Sequence, residues 1–475
     1  MTVNKPSTSL GILLTFFYIP AQILFALFFN YSLARSITTG MLNDWYVFFS
    51  LTSLFSLLEL SYPTLAISFF NGKNGRSKGA FSFFIKKSLG VVIPLQIVFT
   101  VYYSQMINSS FLIFGVGLIL RSIANIINSY LYANKKIIID KTYKFIYAII
   151  MPVCFIFAHY ILNVQMNITD LTTVWCISSL ICLLYSSFFL VFSFKLSGQK
   201  NCCGNTFNLP IKNNIKLFFT VLPAIFIYTL SINYIKYFGG PSEESGTILY
   251  GVFLQVFNIY NVIVVLVASY FIPMISKAYH DGDSISSIIF KILDVSITIS
   301  VSAASFVALF GIEGVTLMLK DKVSNVSYWY IAAVIMIFYI ETCQVVLTSI
   351  GTGIGIYNYY KQSICSAAFV FALSYIFIPK YGVEGLMFSI LFSQLVTCFI
   401  FNPIIVLKVA KLSTMRYVAR VVMHLGIMIT LIFLAVLVKD YNLWTKVIIL
   451  TSLLLFFFIF FFVKIKLLLN DYFET

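Results

Sequence analysis

Charge is what this chain has least of. Only 10% of its 475 residues are Asp, Glu, Lys or Arg, against about 25% in soluble globular domains. With 60% hydrophobic residues and a mean hydropathy of +0.97, that deficit excludes a soluble enzyme and leaves an integral membrane protein. No long polar block interrupts the apolar runs, so a separate soluble domain has no place in the chain.

The eight cysteines, Cys154, Cys176, Cys182, Cys202, Cys203, Cys343, Cys365 and Cys398, form no CxxC pair and no Cys/His cluster. Redox and structural-metal roles are therefore not expected. The three histidines, His159, His280 and His424, are widely spaced. Without a P-loop, an HExxH pair or a Ser/His/Asp set, nothing argues for catalysis, and no cofactor or metal is expected. The net charge of +15 is spread over many short loops rather than gathered into a patch, so nucleic acid is not an expected partner. A single Lys5 precedes the first apolar run and no small-residue cleavage site follows it, which reads as an uncleaved first span.

What is present is hydrophobic length. Apolar stretches of about 18 residues or more number roughly fourteen. They fall near 9–30, 45–70, 88–105, 110–132, 143–163, 171–194, 215–237, 247–275, 288–312, 326–350, 362–379, 384–407, 417–438 and 444–466. The predicted fold is all-α and polytopic, with a six-helix lobe over 1–197, a hinge loop at 198–214, a second six-helix lobe over 215–410, and two further spans in 411–475. Tyr46-Val47-Phe48 and Tyr250-Gly251-Val252 open equivalent spans of the two lobes, a short internal echo. With the N-terminus inside, 23 Lys and Arg fall in cytoplasmic segments and seven outside. That bias places both termini in the cytoplasm.

Four ionisable side chains interrupt the apolar stretches: Glu59, Arg121, Asp294 and Glu341. A charge at the bilayer centre costs roughly 2.5–3.5 kcal/mol on insertion scales and marks a functional pathway by default. Each belongs to a polar stripe at helical spacing. The stripes are Thr52, Ser56, Glu59 and Pro63; Arg121, Asn125 and Asn128; Asp294, Thr298, Ser302 and Ser305; and Glu341, Gln344 and Thr348. A fifth, on the seventh span, is Thr229, Asn233 and Lys236.

Several readings stand side by side. Glu59 and Arg121 could neutralise each other across a helix interface, and Asp294 could snorkel to the cytoplasmic surface. Glu341 has no partner in sequence; desolvation of a carboxylate favours proton uptake, so Glu341, with Glu59 and Asp294, is a candidate for ion coupling. Arg121 suits a diphosphate, because a guanidinium binds phosphate bidentately and keeps its proton. Pro20, Pro63, Pro94, Pro152, Pro223 and Pro273 are candidate kinks. The 50 Phe and 30 Tyr are expected mostly at lipid-facing or interfacial positions.

Three local patterns carry a resemblance: Ser56-Leu57-Leu58-Glu59-Leu60, Pro273-Met274-Ile275-Ser276, and above all Ile378-Pro379-Lys380-Tyr381-Gly382-Val383-Glu384-Gly385. With the length, span count and short loops, the chain resembles the polysaccharide transporter family of the multidrug/oligosaccharidyl-lipid/polysaccharide exporter superfamily, more narrowly its O-antigen repeat-unit flippases. It departs from that pattern where Glu59, Leu60 and Ser61 replace the more usual Asp and Leu-Gly. A second departure is Ala133-Asn134-Lys135-Lys136 in place of Gln-Arg. Both leave the fold reading intact and weaken transfer of substrate specificity.

The resemblance implies two six-helix lobes around a central cavity in the bacterial inner membrane. It implies alternating access that carries an undecaprenyl-diphosphate-linked repeat unit from the inner to the outer leaflet. Arg121, Asn125 and Asn128 would hold the head group, Glu59, Glu341, Gln344, Asn233 and Lys236 would line the cavity, and membrane lipid would surround the protein. It also implies the polymerase and chain-length regulator of the same pathway as partners. The rivals are a cation-coupled small-molecule exporter, for which twelve spans would be expected, and the O-antigen polymerase, which would need a large extracytoplasmic loop. A lipid II type flippase would be expected to carry more arginines in the first lobe.

Overall fold

The computed structural model describes residues 5–59, 62–71, 78–134, 136–197, 218–219, 222–240, 243–282, 285–323, 326–354, 356 and 359–474. Among them every regular element is helical. Backbone N–H and C=O groups find no water in hydrocarbon, so only a helix, which satisfies them within its own segment, can span here. Nine helices among the described residues are long and apolar enough to cross a membrane, one of them a continuous stretch over Tyr360–Val409. Two compact units form, Met1–Leu222 and Pro223–Thr475. The expected hinge loop at 198–214, with Cys202 and Cys203, lies outside the described residues.

The spans follow the apolar stretches with three corrections. The second span, expected to be one helix, is two: Thr39–Leu58 and Tyr62–Asn71. Pro63 lies in the first turn of the second piece, where its missing N–H costs nothing and its ring ends any helix arriving from before. The seventh is not a regular helix. Two wide π-helical turns, Ile225–Thr229 and Ile235–Gly239, flank a single α-turn at Ser231–Tyr234. The eleventh and twelfth run on as Tyr360–Val396, broken at Gly382, whose φ of 54° is left-handed, and continue as Cys398–Val409. Elsewhere local chemistry sets the ends: the side chains of Thr38, Ser327 and Ser413 cap helix N-termini, and Gly282 (φ 85°) ends the long eighth span, Glu244–Asp281.

Burial ranks the spans. In the first unit the fourth, Phe111–Ala133, is among the innermost, with 61% of its apolar stretch buried against 17% for the fifth, Ile138–Ile161. In the second unit the tenth, Tyr328–Gly353, reaches 72% and the thirteenth, Thr414–Leu437, only 28%. Arg121 rides on the first of these inner spans and Glu341 on the second.

Aromatic side chains build much of both interiors, although many others do face outward as expected. In the first unit Trp45, Phe48, Phe111, Phe114 and Trp175 are buried, with Trp175 stacked on Phe114 at 4.8 Å and edge-on to Trp45 at 6.2 Å. In the second, Tyr260 stacks on Phe338 at 4.2 Å, and Tyr228 meets Phe257 at 4.5 Å. Gly117 allows Trp175 its seat: a Cβ there would lie 2.6 Å from the indole Cδ1.

Gly117→Ala is therefore expected to cost about 1–3 kcal/mol through overpacking. Gly314→Ala, where a Cβ meets nothing within 4 Å, should be neutral or slightly stabilising. Thermal melts of the purified variants followed by tryptophan fluorescence check this; equal melting temperatures would contradict the packing described.

Candidate functional site

Each unit gathers polar side chains around an inner span. In the first, Arg121 is buried, 5% exposed. One turn after Gly117 on the same helix face, it meets the Trp175 ring that the glycine admits. The guanidinium carbon lies 3.7 Å from that ring's centroid and 4.3 Å from that of Tyr147. Nε donates to Ser179 Oγ at 3.0 Å and Nη2 to Ser178 Oγ at 3.1 Å. The two serines are adjacent on the sixth span, Ile168–Ser197, and return their own hydroxyl protons to Trp175 O. The cation is thus held by two π-faces and two neutral hydroxyls.

Glu59 does not pair with Arg121. It ends the first piece of the second span, where Asn125 Nδ2 donates to its Oε1 at 3.3 Å. Tyr143 Oη in turn donates to Asn125 Oδ1 at 2.7 Å. Gln96, on the third span, bridges Ser122 Oγ at 2.7 Å and Phe55 O at 3.2 Å. Asn128 belongs to a different set: its Nδ2 donates to Asp140 Oδ1 at 2.7 Å, and Lys144 pairs with Asp140 at 3.0 Å. The stripe Arg121, Asn125, Asn128 therefore reaches three separate sets of partners along one helix.

In the second unit, Glu341 Oε1 accepts from both Tyr228 Oη and Gln344 Nε2. Gln344 Nε2 also reaches Gln394 Oε1, on the twelfth span, at 3.2 Å. Gln344 Oε1 is buried without a partner, a deficit worth about 1–3 kcal/mol. Tyr228 sits in the first π-turn, and Tyr250 Oη donates to its carbonyl at 2.8 Å. Glu341 thus ties the seventh, tenth and twelfth spans together. Asn233 and Lys236 lie further along the seventh span, both half-buried.

Asp294 pairs with Arg420 of the thirteenth span, Nε to Oδ1 at 3.0 Å, and the Arg420 guanidinium stacks over Phe290 at 4.5 Å. Nineteen residues on, Glu313 pairs with Lys446 of the last span, Leu443–Glu474. At 1.5 Å per residue the two carboxylates are about 28 Å apart along the ninth span, close to the hydrocarbon thickness. The terminal pair of spans is pinned to the ninth near both of its ends. Most hydroxyls of the ninth and tenth stripes turn back on their own backbone: Thr298 to Asp294 O, Ser302 to Thr298 O, Ser305 to Val301 O and Thr348 to Gln344 O.

Tyr143, Ser178, Ser179, Gln394 and Arg420 were not singled out in the sequence. They lie on other spans than the charges they serve, and nothing in local spacing joins them. Arg420 had signalled only as one of four cationic side chains beside a cytoplasmic helix end.

No family model and no curated protein matches the sequence. Among solved structures, the chain is similar to an inward-facing multidrug resistance transporter of the MATE family, in the MOP superfamily (13% identity, 82% of this chain and 94% of that one, TM-score 0.64). It is also similar to the lipid II flippase MurJ in an inward closed conformation (13% identity, 97% and 99% coverage, TM-score 0.65). A third is the Vibrio cholerae MATE transporter VcmN in its bent form (12% identity, 86% and 98% coverage, TM-score 0.52). The chain shares the fold of these solved transporters.

A double-mutant cycle on Asp294→Asn and Arg420→Gln is expected to give a coupling of about 0.5–3 kcal/mol, the range for residues in direct contact. Each single variant should melt lower than wild type, because it removes one member of a part-buried ion pair. Additive effects of the two substitutions would contradict the pair.

Proposed function

We propose that the chain is a flippase for lipid-linked glycans. It would move undecaprenyl-diphosphate-linked O-antigen, or related polysaccharide, repeat units from the cytoplasmic to the periplasmic leaflet of the bacterial inner membrane by alternating access, with both termini cytoplasmic. The observation that carries this reading is the extent of the fold likeness. The lipid II flippase covers 97% of the chain, whereas the multidrug transporter covers 82%. Spans thirteen and fourteen, held to the ninth by two ion pairs, are integral to the second unit and make it larger than a twelve-span exporter requires.

Residue chemistry supports the same reading. Among the described residues Arg121 has no carboxylate partner and its Nη1 makes no hydrogen bond, so its charge could take an anion, and a diphosphate supplies one with bidentate geometry. Substrate would have to displace the serine hydroxyls or the Tyr147 ring to reach it. Glu341 has two neutral donors and no cation, an arrangement suited to taking up and releasing a coupling proton. On this reading Asn125, Asn128, Asn233, Lys236, Gln344 and Glu59 would exchange their present contacts for sugar hydroxyls, and Asp294, held by Arg420, would serve attachment of the terminal spans rather than coupling. The pathway's polymerase and chain-length regulator are the natural partners of such an activity. The likeness to multidrug transporters supports the alternative of a cation-coupled small-molecule exporter, which the test below separates.

Expressed with its own glycan gene set in a flippase-deleted strain, the wild-type chain should restore surface glycan. Arg121→Ala and Glu341→Gln should each lower display, Arg121→Ala by roughly tenfold to a hundredfold if one charge-assisted contact of about 1.5–3 kcal/mol is lost. Export of cationic dyes without glycan display would favour the exporter. Full display by both variants would remove Arg121 and Glu341 from the mechanism.

A further inference from the structure

The seventh span is held at a second place besides Tyr228. Glu243, just before the eighth span, projects its side chain into a seat formed by three glycines from three segments. These are Gly239 at the end of the second π-turn, Gly246 in the first turn of the eighth span, and Gly382 at the break between the eleventh and twelfth. A Cβ on Gly239 would lie 2.5 Å from Glu243 Cγ, and one on Gly246 would lie 2.7 Å from Glu243 Oε2. A Cβ on Gly382 would likewise collide with the carboxylate, and at φ 54° that position already favours glycine. The backbone N–H of Val383, next to the break, donates to the carboxylate. A side chain this closely surrounded by absent ones is a joint between segments rather than a surface charge.

We propose that Glu243 is a positioning residue, a proton-sensitive latch that holds the end of the seventh span and the start of the eighth against the break between the eleventh and twelfth. The segment it holds is irregular. Two π-turns, a form frequent at functional sites, flank the α-turn Ser231–Tyr234. Two carboxyl groups thus govern the seventh span: Glu341 through Tyr228, and Glu243 through its glycine seat. That the joint opens during transport rests on the flippase reading; the seat itself does not.

The proton sensitivity has a definite sign. Burial pushes the Glu243 carboxyl above its ordinary range, against a smaller opposing effect of the Val383 bond. The charged groups on the surrounding segments are Lys236, Glu244, Lys380 and Glu384, and burial is the largest cause of the shift. A group whose folded-state pKa is raised lends stability that is complete below its unfolded value and is lost as pH rises through the folded one. The latch is therefore tightest with Glu243 neutral and loosens as it ionises.

Amide hydrogen exchange over residues 376–386, measured on full-length protein in nanodiscs and corrected for intrinsic rates, tests this. Between about pH 5 and about pH 8 the wild-type stretch should lose protection, by about tenfold for each pK unit of upward shift. Glu243→Gln should stay protected across that range, and Glu243→Ala should be unprotected throughout. Gly246→Ala should also open the stretch, but add nothing in the Glu243→Ala background. Unchanged protection in Glu243→Ala, or identical pH profiles for wild type and Glu243→Gln, would overturn the proposal. The measurement needs no substrate, so its failure is separate from failure of the flippase reading.

Discussion

An ionised side chain in the hydrocarbon core has no water to solvate it, so every charge carried there must be met by another span. The rest of the arrangement depends on that constraint. Asp294 is met by Arg420 and Glu313 by Lys446, and these pairs attach the last two spans to the ninth. Arg121 and Glu341 are met differently, by hydroxyls, amides and aromatic faces. Their charges are solvated but not neutralised. Charges matched by opposite charges tie spans together, and those matched only by dipoles are the ones that the flippase proposal assigns to binding and exchange.

Where these unneutralised charges sit is equally informative. Arg121 lies on one of the most buried spans of the first unit and Glu341 on the most buried candidate span of the second, positions at which solvating a charge demands much from its neighbours. For Arg121 that demand explains a run of local choices: Gly117 admits Trp175, Trp175 covers the guanidinium, and Ser178 and Ser179 on the next turn accept its protons. For Glu341 it recruits the seventh span through Tyr228 and the twelfth through Gln344 and Gln394. The second cluster includes an irregular element, the π-turn that carries Tyr228.

Much of this was legible in the sequence. The described parts of the apolar stretches are helical, the seventh irregularly, because in lipid the backbone leaves no alternative, and hydropathy reads that constraint directly. The break after Leu58 followed from Pro63, already a candidate kink, although its depth did not. The two π-turns left no signal, since a wide turn has the same composition as an α-turn. Helical spacing picked out Arg121, Asn125 and Glu341 but overcounted the stripes. Ser and Thr can bond the carbonyl four residues back, as Thr298 and Ser302 do, whereas long or charged side chains must reach outward. The partners themselves were invisible: Asp294 and Arg420 are separated by 126 residues, and periodicity within one helix carries no information about the next.

The flippase proposal assigns binding of an anionic lipid-linked glycan to Arg121 in the first unit and coupling of its movement to protons to Glu341 in the second. The most direct measurement is translocation of a fluorescent undecaprenyl-diphosphate oligosaccharide in proteoliposomes with an imposed proton gradient. Wild type should move the lipid at a rate that responds to the gradient, Glu341→Gln should lose that response, and Arg121→Ala should lose transport itself. Translocation by wild type that ignores the gradient and equals that of both variants would contradict the account.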